Sequence, residues 1–126
     1  MTHKVSNVGG HHQLVFDVIQ TNVGSGYHPS GVFIVPETGL YVFTWSFRVY
    51  HGGVHAVELA VNGRRMGVAF SKAPLDDSEQ TSATIVISVS KGDDVFLRTG
   101  DGNNNGEIFS GPYGYTYFAG WKIHVY

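Results

Sequence analysis

The chain has 126 residues, of which 42% are hydrophobic and 14% charged, with a formal net charge of -2 and no cysteine. This length suits one domain with its own core, and the apolar content is too high for a disordered chain. The small charge and the lack of a long apolar run indicate neither a nucleic-acid partner nor membrane insertion, and the lack of cysteine excludes disulfides, thiolate chemistry and cysteine–zinc sites.

Apolar and polar residues alternate along most of the chain, which predicts β-strands rather than helices. In chain order, the expected strands lie at residues 14–19, 32–35, 39–50, 57–61, 66–70, 83–89, 95–97 and 113–125. The pair Asn62-Gly63 is a strong hairpin signal, and Lys91-Gly92-Asp93 marks another turn. About eight short strands predict an all-β sandwich or jelly roll, which we assign to a single domain over residues 1–126.

The strand at residues 39–50 is the clearest of these. The aromatic residues at its odd-numbered positions, which include Tyr41, Phe43 and Trp45, predict the face that is buried. The other parity also carries apolar residues, although a monomeric sandwich buries only one face of such a strand. A second apolar face predicts an interface between copies of the chain. The sequence leaves open whether Leu40, Val42 or Phe118 faces the axis of that assembly.

A spaced set of aromatic residues and glycines resembles the globular-head domain of complement C1q, within the tumour-necrosis-factor-like superfamily. The shared positions are Phe16, Asn22, Tyr27, Gly31, Phe33, Gly39, Tyr41, Phe43, Trp45, Gly92, Asp93, Phe118 and Gly120. The resemblance covers about residues 15–126. The chain is similar to single-domain C1q-like proteins of invertebrates, especially molluscs. The first strand of the family, which carries a small-aromatic motif, is absent before Ser6, so we expect one sheet to lack an edge strand.

The resemblance implies a ten-stranded jelly-roll sandwich that assembles as a homotrimer and is secreted. It also implies a non-enzymatic, lectin-like pattern-recognition protein of innate immunity that binds microbial or self glycans. No catalytic motif of the nucleophile-elbow, zinc-protease or phosphate-loop kind is present, which agrees with a protein that is not an enzyme. Two alternatives remain open: an extracellular structural or calcium-handling matrix protein, and a cytokine-like receptor ligand.

The candidate ligand-binding residues are polar and aromatic side chains expected in loops, where they can stack on a sugar ring or hydrogen-bond to it. They are Tyr50, His51, His55, Asp101, Asn103, Asn105, Tyr113 and Tyr115. His51 and His55 flank a Gly-Gly turn and could converge there. Exposed contacts to a sugar or a partner are the favoured interpretation of this pair, and a zinc or copper site is the alternative.

Calcium is the cofactor that the sequence suggests, because Asp76, Asp77 and Glu79 place three carboxylates in a short span. Some relatives of the resembled family hold calcium just before the strand that follows this cluster. The alternative is a plain exposed loop. The segment from Asp101 to Gly106 matches only the first half of a calcium-loop pattern, since Pro112 stands where a Glu is needed, and a solvated turn is favoured there.

Overall fold

The computed structural model describes residues 5–6, 13–16, 27, 30–100, 104, 106–110 and 115–126. These residues form ten β-strands and no helix. The strands are β1 (Val5–Ser6), β2 (Gln13–Leu14), β3 (Phe33–Ile34), β4 (Gly39–Val49), β5 (Val54–Val61), β6 (Arg64–Lys72), β7 (Glu79–Val89), β8 (Asp94–Thr99), β9 (Glu107–Phe109) and β10 (Tyr117–Val125).

The strands of the described part form two antiparallel sheets that face each other. In the first sheet, β7 pairs along one edge of β4, while β10 and β9 lie end to end along the other edge, and β1 pairs with β9. In the second sheet, β2 and β3 both pair with β8, followed by β5 and then β6. The predicted all-β jelly-roll sandwich is therefore confirmed.

The edge of the first sheet differs from the expectation that it lacks a strand. The two residues Val5 and Ser6 pair with Ile108 and Glu107, so this edge position is occupied beside β9. The long strand β10, in contrast, has β4 as its sole pairing partner within the described ranges.

The core lies between the sheets and is built around the aromatic side chains at alternate positions of β4. Phe43, Trp45 and Phe47 are at most 1% exposed, as the alternation predicts. The indole Nε1 of Trp45 donates a hydrogen bond to the carbonyl oxygen of Val57 in the opposite sheet, at 3.2 Å. The ring of Phe43 lies 6.0 Å from that of Phe118 and 5.9 Å from that of Phe33, between centroids. The contact with Phe33 of β3 joins the two sheets, whereas the contact with Phe118 of β10 packs two neighbouring strands of the first sheet.

Two of the glycines at positions shared with the C1q globular head, Gly92 and Gly120, have a clear physical role. A Cβ at Gly120 would lie 2.6 Å from the Phe43 ring, so only glycine lets β10 pass over that ring. Gly92 has a φ of +91°, which favours glycine, in the turn between β7 and β8. The next residue, Asp93, accepts hydrogen bonds from the Asn62 side chain at 3.0 Å and the Ser90 N–H at 2.9 Å, and these bonds lower the pKa of its carboxyl group. The turns at this end of the sandwich are therefore tied together.

Replacing Trp45 by Ala should cost about 3–5 kcal/mol of unfolding free energy, the usual range for a large buried aromatic side chain. The loss combines removed apolar burial with a cavity between the sheets. Chemical denaturation followed by fluorescence or circular dichroism measures it. Phe70→Ala is the matched control, because Phe70 is 60% exposed and its loss should cost less than about 1 kcal/mol. Equal losses for the two variants would contradict this placement of Trp45.

Candidate ligand-binding site

One end of the sandwich gathers most of the described candidate residues. This loop end comprises the turn at residues 50–53, the loop at residues 73–78, and residues 115–116. The amide of Gly52 donates a hydrogen bond to the carbonyl oxygen of Pro74 at 2.7 Å, and the amide of Ala73 donates one to the carbonyl oxygen of Gly53 at 2.9 Å. The turn after β4 and the loop before β7 therefore form one hydrogen-bonded surface.

Tyr50 and His51 form a stacked ring pair on this surface. Their centroids are 3.6 Å apart with an interplanar angle of 20°. Tyr50 is 38% exposed and His51 is also exposed. A flat ring with a hydroxyl or an imidazole nitrogen can contact the apolar face of a sugar and also hydrogen-bond to its hydroxyl groups.

Tyr115 lies at the same end and is 71% exposed. Its carbonyl oxygen accepts a hydrogen bond from the Gln80 side chain at 3.0 Å, and the hydroxyl of its neighbour Thr116 accepts one from the amide of Arg48 at 3.1 Å. These bonds fix the backbone before β10 against the end of β4 and the start of β7. Tyr115 is thereby presented to solvent on a held backbone.

The outer face of the first sheet carries an apolar row across three strands. Val42 of β4 pairs with Val86 of β7 on one side and with Trp121 of β10 on the other. Val86 is 59% exposed and Trp121 is 53% exposed. Leu40 and Val42 lie on this outer face, whereas Phe118 points between the sheets and packs against the core. The second apolar face predicted for β4 is therefore present, and Phe118 is not part of it.

The three candidate calcium ligands are exposed side chains at the loop end. Asp76 and Asp77 lie in the loop and Glu79 is the first residue of β7. The carboxylate of Asp77 accepts a hydrogen bond from the amide of Ser78 at 2.8 Å, and the Arg48 guanidinium donates one to the Ser78 hydroxyl. In the described part of the chain, no three His, Asp or Glu side chains are grouped as metal ligands.

Comparison with known proteins identifies the family. The chain matches the family model of the C1q domain over residues 1–123. It belongs to the C1q domain family. The match begins at residue 1, so the resemblance extends further than the expected start near residue 15.

Curated relatives and solved structures agree with this assignment. The complement C1q tumor necrosis factor-related protein 3 of Mus musculus and that of Homo sapiens are each 31% identical over 97 residues, which cover 75% of this chain and 39% of the relative. The C1q domain described here thus spans about two fifths of the length of those relatives. The globular domain of zebrafish complement 1qA protein has a TM-score of 0.78 at 16% identity, over 99% of this chain and 94% of that one. The Eiger TNF of S. frugiperda has a TM-score of 0.71 at 15% identity, over 98% and 86% of the two chains, and both structures support the fold alone.

No helix long and apolar enough to cross a membrane occurs among the residues that the structure describes.

The expected position of His55 is wrong. This residue is not in the turn at residues 50–53 but in β5 of the C1q domain. There its side chain is 0% exposed, and its Nε2 lies 3.0 Å from the Gly106 carbonyl oxygen. The period of two explains this, because residue 55 has the parity of Val57 and Leu59, which are in the core. His55 therefore does not meet His51 at the surface.

The loop beyond β8 is held by a residue that the sequence patterns did not reveal. Asn104 is 7% exposed; its Oδ1 accepts the amide of Ala56 at 3.0 Å and its Nδ2 donates to the Gly100 carbonyl at 2.8 Å. The calcium-loop pattern assigns ligands to alternate positions, and Asn104 lies between two of these, Asn103 and Asn105. The remaining candidates, Asp101, Asn103, Asn105 and Tyr113, and the resembling residue Asn22, lie outside the described residues.

The buried His55 should make the C1q domain sensitive to mild acid. Burial lowers the pKa of His55, although hydrogen bonds to Gly106 and Asn104 oppose this effect. The unfolded chain then takes up the proton more readily than the folded one, so the free energy of unfolding falls as the pH drops below about 6.5. Denaturation of the parent at several pH values below neutrality measures this loss. His55→Gln should lose less stability than the parent over the same pH range.

The control is His51→Gln, because His51 is exposed at the same end of the sandwich. This variant should keep the pH dependence of the parent. A parent-like pH dependence in His55→Gln would contradict the role given to His55.

Proposed function

We propose that this chain is a non-enzymatic, secreted recognition module that assembles as a homotrimer and binds microbial or self glycans through its loop end. The observation that supports glycan binding best is the exposed, stacked pair of Tyr50 and His51 on a hydrogen-bonded surface. Membership of the C1q domain family supports the secreted and non-enzymatic character.

Trimer formation is supported by the apolar row on the first sheet. Half-exposed Trp121 and Val86 flank Val42, and an apolar surface of this kind is typical of an interface. A rotation axis parallel to the strands keeps the same end of every copy on one side. A trimer that buries this row would then present three loop ends together, and multivalency would strengthen weak contacts to a repeated glycan.

The parent protein should have a solution mass of about three times 13.7 kDa by light scattering, because the row is buried between copies. Trp121→Asp and Val86→Asp should each give the mass of one chain, since either variant places a charge in that interface. Val15→Asp is the control, because Val15 is exposed outside the row and this variant should stay trimeric. Circular dichroism checks that each variant is folded. A single-chain mass for the folded parent would contradict the trimer.

A glycan array should show binding by the parent and a loss of roughly tenfold in apparent affinity for Tyr50→Ala and His51→Ala, equivalent to about 1.4 kcal/mol of apparent binding free energy. The loss is expected because each variant removes one ring of the stacked pair. Val15→Ser is the control for an exposed substitution elsewhere. Absence of any glycan signal for the parent would favour the receptor-ligand alternative. Unchanged binding by both ring variants would move the site away from Tyr50 and His51.

Calcium binding at the loop end, by Asp76, Asp77 or Glu79, remains a prediction. Bound calcium would reduce carboxylate repulsion between copies and raise the melting temperature. Thermal melts with calcium and then with chelator, on the parent and on Glu79→Gln, measure this effect. The rise should be smaller in the variant. An equal rise in both, or one abolished only by Asp101→Asn, would contradict this placement.

A further inference from the structure

The outer face of the second sheet carries an exposed apolar stripe on β6. This β6 stripe consists of Met66, Val68 and Phe70, which are 41%, 48% and 60% exposed. The alternate residues of β6, including buried Ala69, face the core. In the described part of the chain, β6 pairs with β5 alone, so it lies at the edge of its sheet. An apolar edge strand of this kind is usually covered or blunted in a stable protein.

Basic residues stand at both ends of the β6 stripe. Arg64 and Arg65 precede it and Lys72 follows it, and all three are exposed. Pairing of β6 with β6 of a second copy, antiparallel and centred on Val68, would place Arg64 opposite Lys72. Like charges directly opposite each other destabilise a strand pair. The occupant that fits this surface is therefore apolar and acidic.

The chain itself presents such a segment at its loop end. Leu75 is 89% exposed, the largest value among the described apolar side chains, and Asp76 and Asp77 follow it, also exposed. We name these three residues the Leu75 knob. The hydrogen bond from Gly52 to Pro74 at 2.7 Å holds the backbone just before the knob. A held backbone loses less conformational entropy on binding than a free loop.

We propose that the Leu75 knob of one copy docks on the β6 stripe of a second copy. Leu75 would contact the apolar side chains of the stripe, and the two carboxylates would face the basic residues at one of its ends. The knob and the stripe are different surfaces, so the contact is heterologous and continues from copy to copy unless it closes a ring. The stripe lies on the second sheet, whereas the apolar row of Val42, Val86 and Trp121 lies on the first. The contact therefore joins trimers of the proposed kind into larger assemblies.

The test is sedimentation velocity over a range of protein concentrations. The sedimentation coefficient of the parent should rise with concentration. The rise should shrink in about 1 M salt, where charges are screened within about 3 Å. Leu75→Ser, which alters the knob, and Phe70→Ser, which alters the stripe, should each abolish the rise. A mixture of these two variants should restore it, because one supplies intact stripes and the other intact knobs. Val15→Ser is the control and should behave as the parent.

Several outcomes would overturn the proposal. A coefficient that stays constant with concentration would do so, as would association that survives in both single variants or is not restored by their mixture. Binding of the parent to phosphatidylserine vesicles that is lost in Phe70→Ser, without self-association, would make a lipid surface the occupant instead. The size of the basic unit is measured at the lowest concentration. A failure of the trimer is therefore distinguishable from a failure of this second contact.

Discussion

Strand β4 has apolar side chains on both faces, and the remaining strands are placed around it. Its inner face puts Trp45 at the centre of the core, where the indole bonds to the carbonyl of Val57 in the opposite sheet. Both of its edges are paired, with β7 on one side and with β10 and β9 on the other. Because side chains alternate along a strand, a core residue at Trp45 leaves its neighbours no choice of face. Val42 must then lie on the outer face, in the row with Val86 and Trp121.

The same strand determines where the loop end forms. β4 ends at Val49, and the next residue is Tyr50, whose amide bonds to the Glu107 carbonyl of β9 at 3.0 Å. β7 and β10 run antiparallel to β4, so both begin where it ends. The loop before β7 and the residues before β10 therefore reach the same end as the turn at Tyr50. Candidate binding residues from distant parts of the sequence are thus brought together by the pairing of three strands.

The period of two predicted the architecture, but it predicted the loop end only in part. Trp45, Phe43 and the hairpin at Asn62-Gly63 could be placed from the sequence because each obeys a local rule. The position of His55 could also have been predicted, since it shares the parity of Val57 and Leu59. The expectation of a turn at His55 is wrong because Gly52 and Gly53 suggest a turn that extends to it, whereas β5 already begins at Val54. Asn104 carries no local signal: its importance comes from bonds to Ala56, which is 48 residues away in sequence.

Buried polar groups fix the segment after β8 to the core of the sandwich. Asn104 bonds to Ala56 and Gly100, and His55 bonds to Gly106, so the segment after β8 is fixed to β5 at two points. At Gly106 a Cβ would lie 2.5 Å from the Cα of Gly53, so the backbones cross too closely for a side chain. Buried polar atoms must keep their hydrogen bonds, which constrains these positions strongly. Surface loops vary more in sequence than the core they connect, so Asn104, His55 and Gly106, which tie a loop to the core, should tolerate substitution less than an ordinary loop residue.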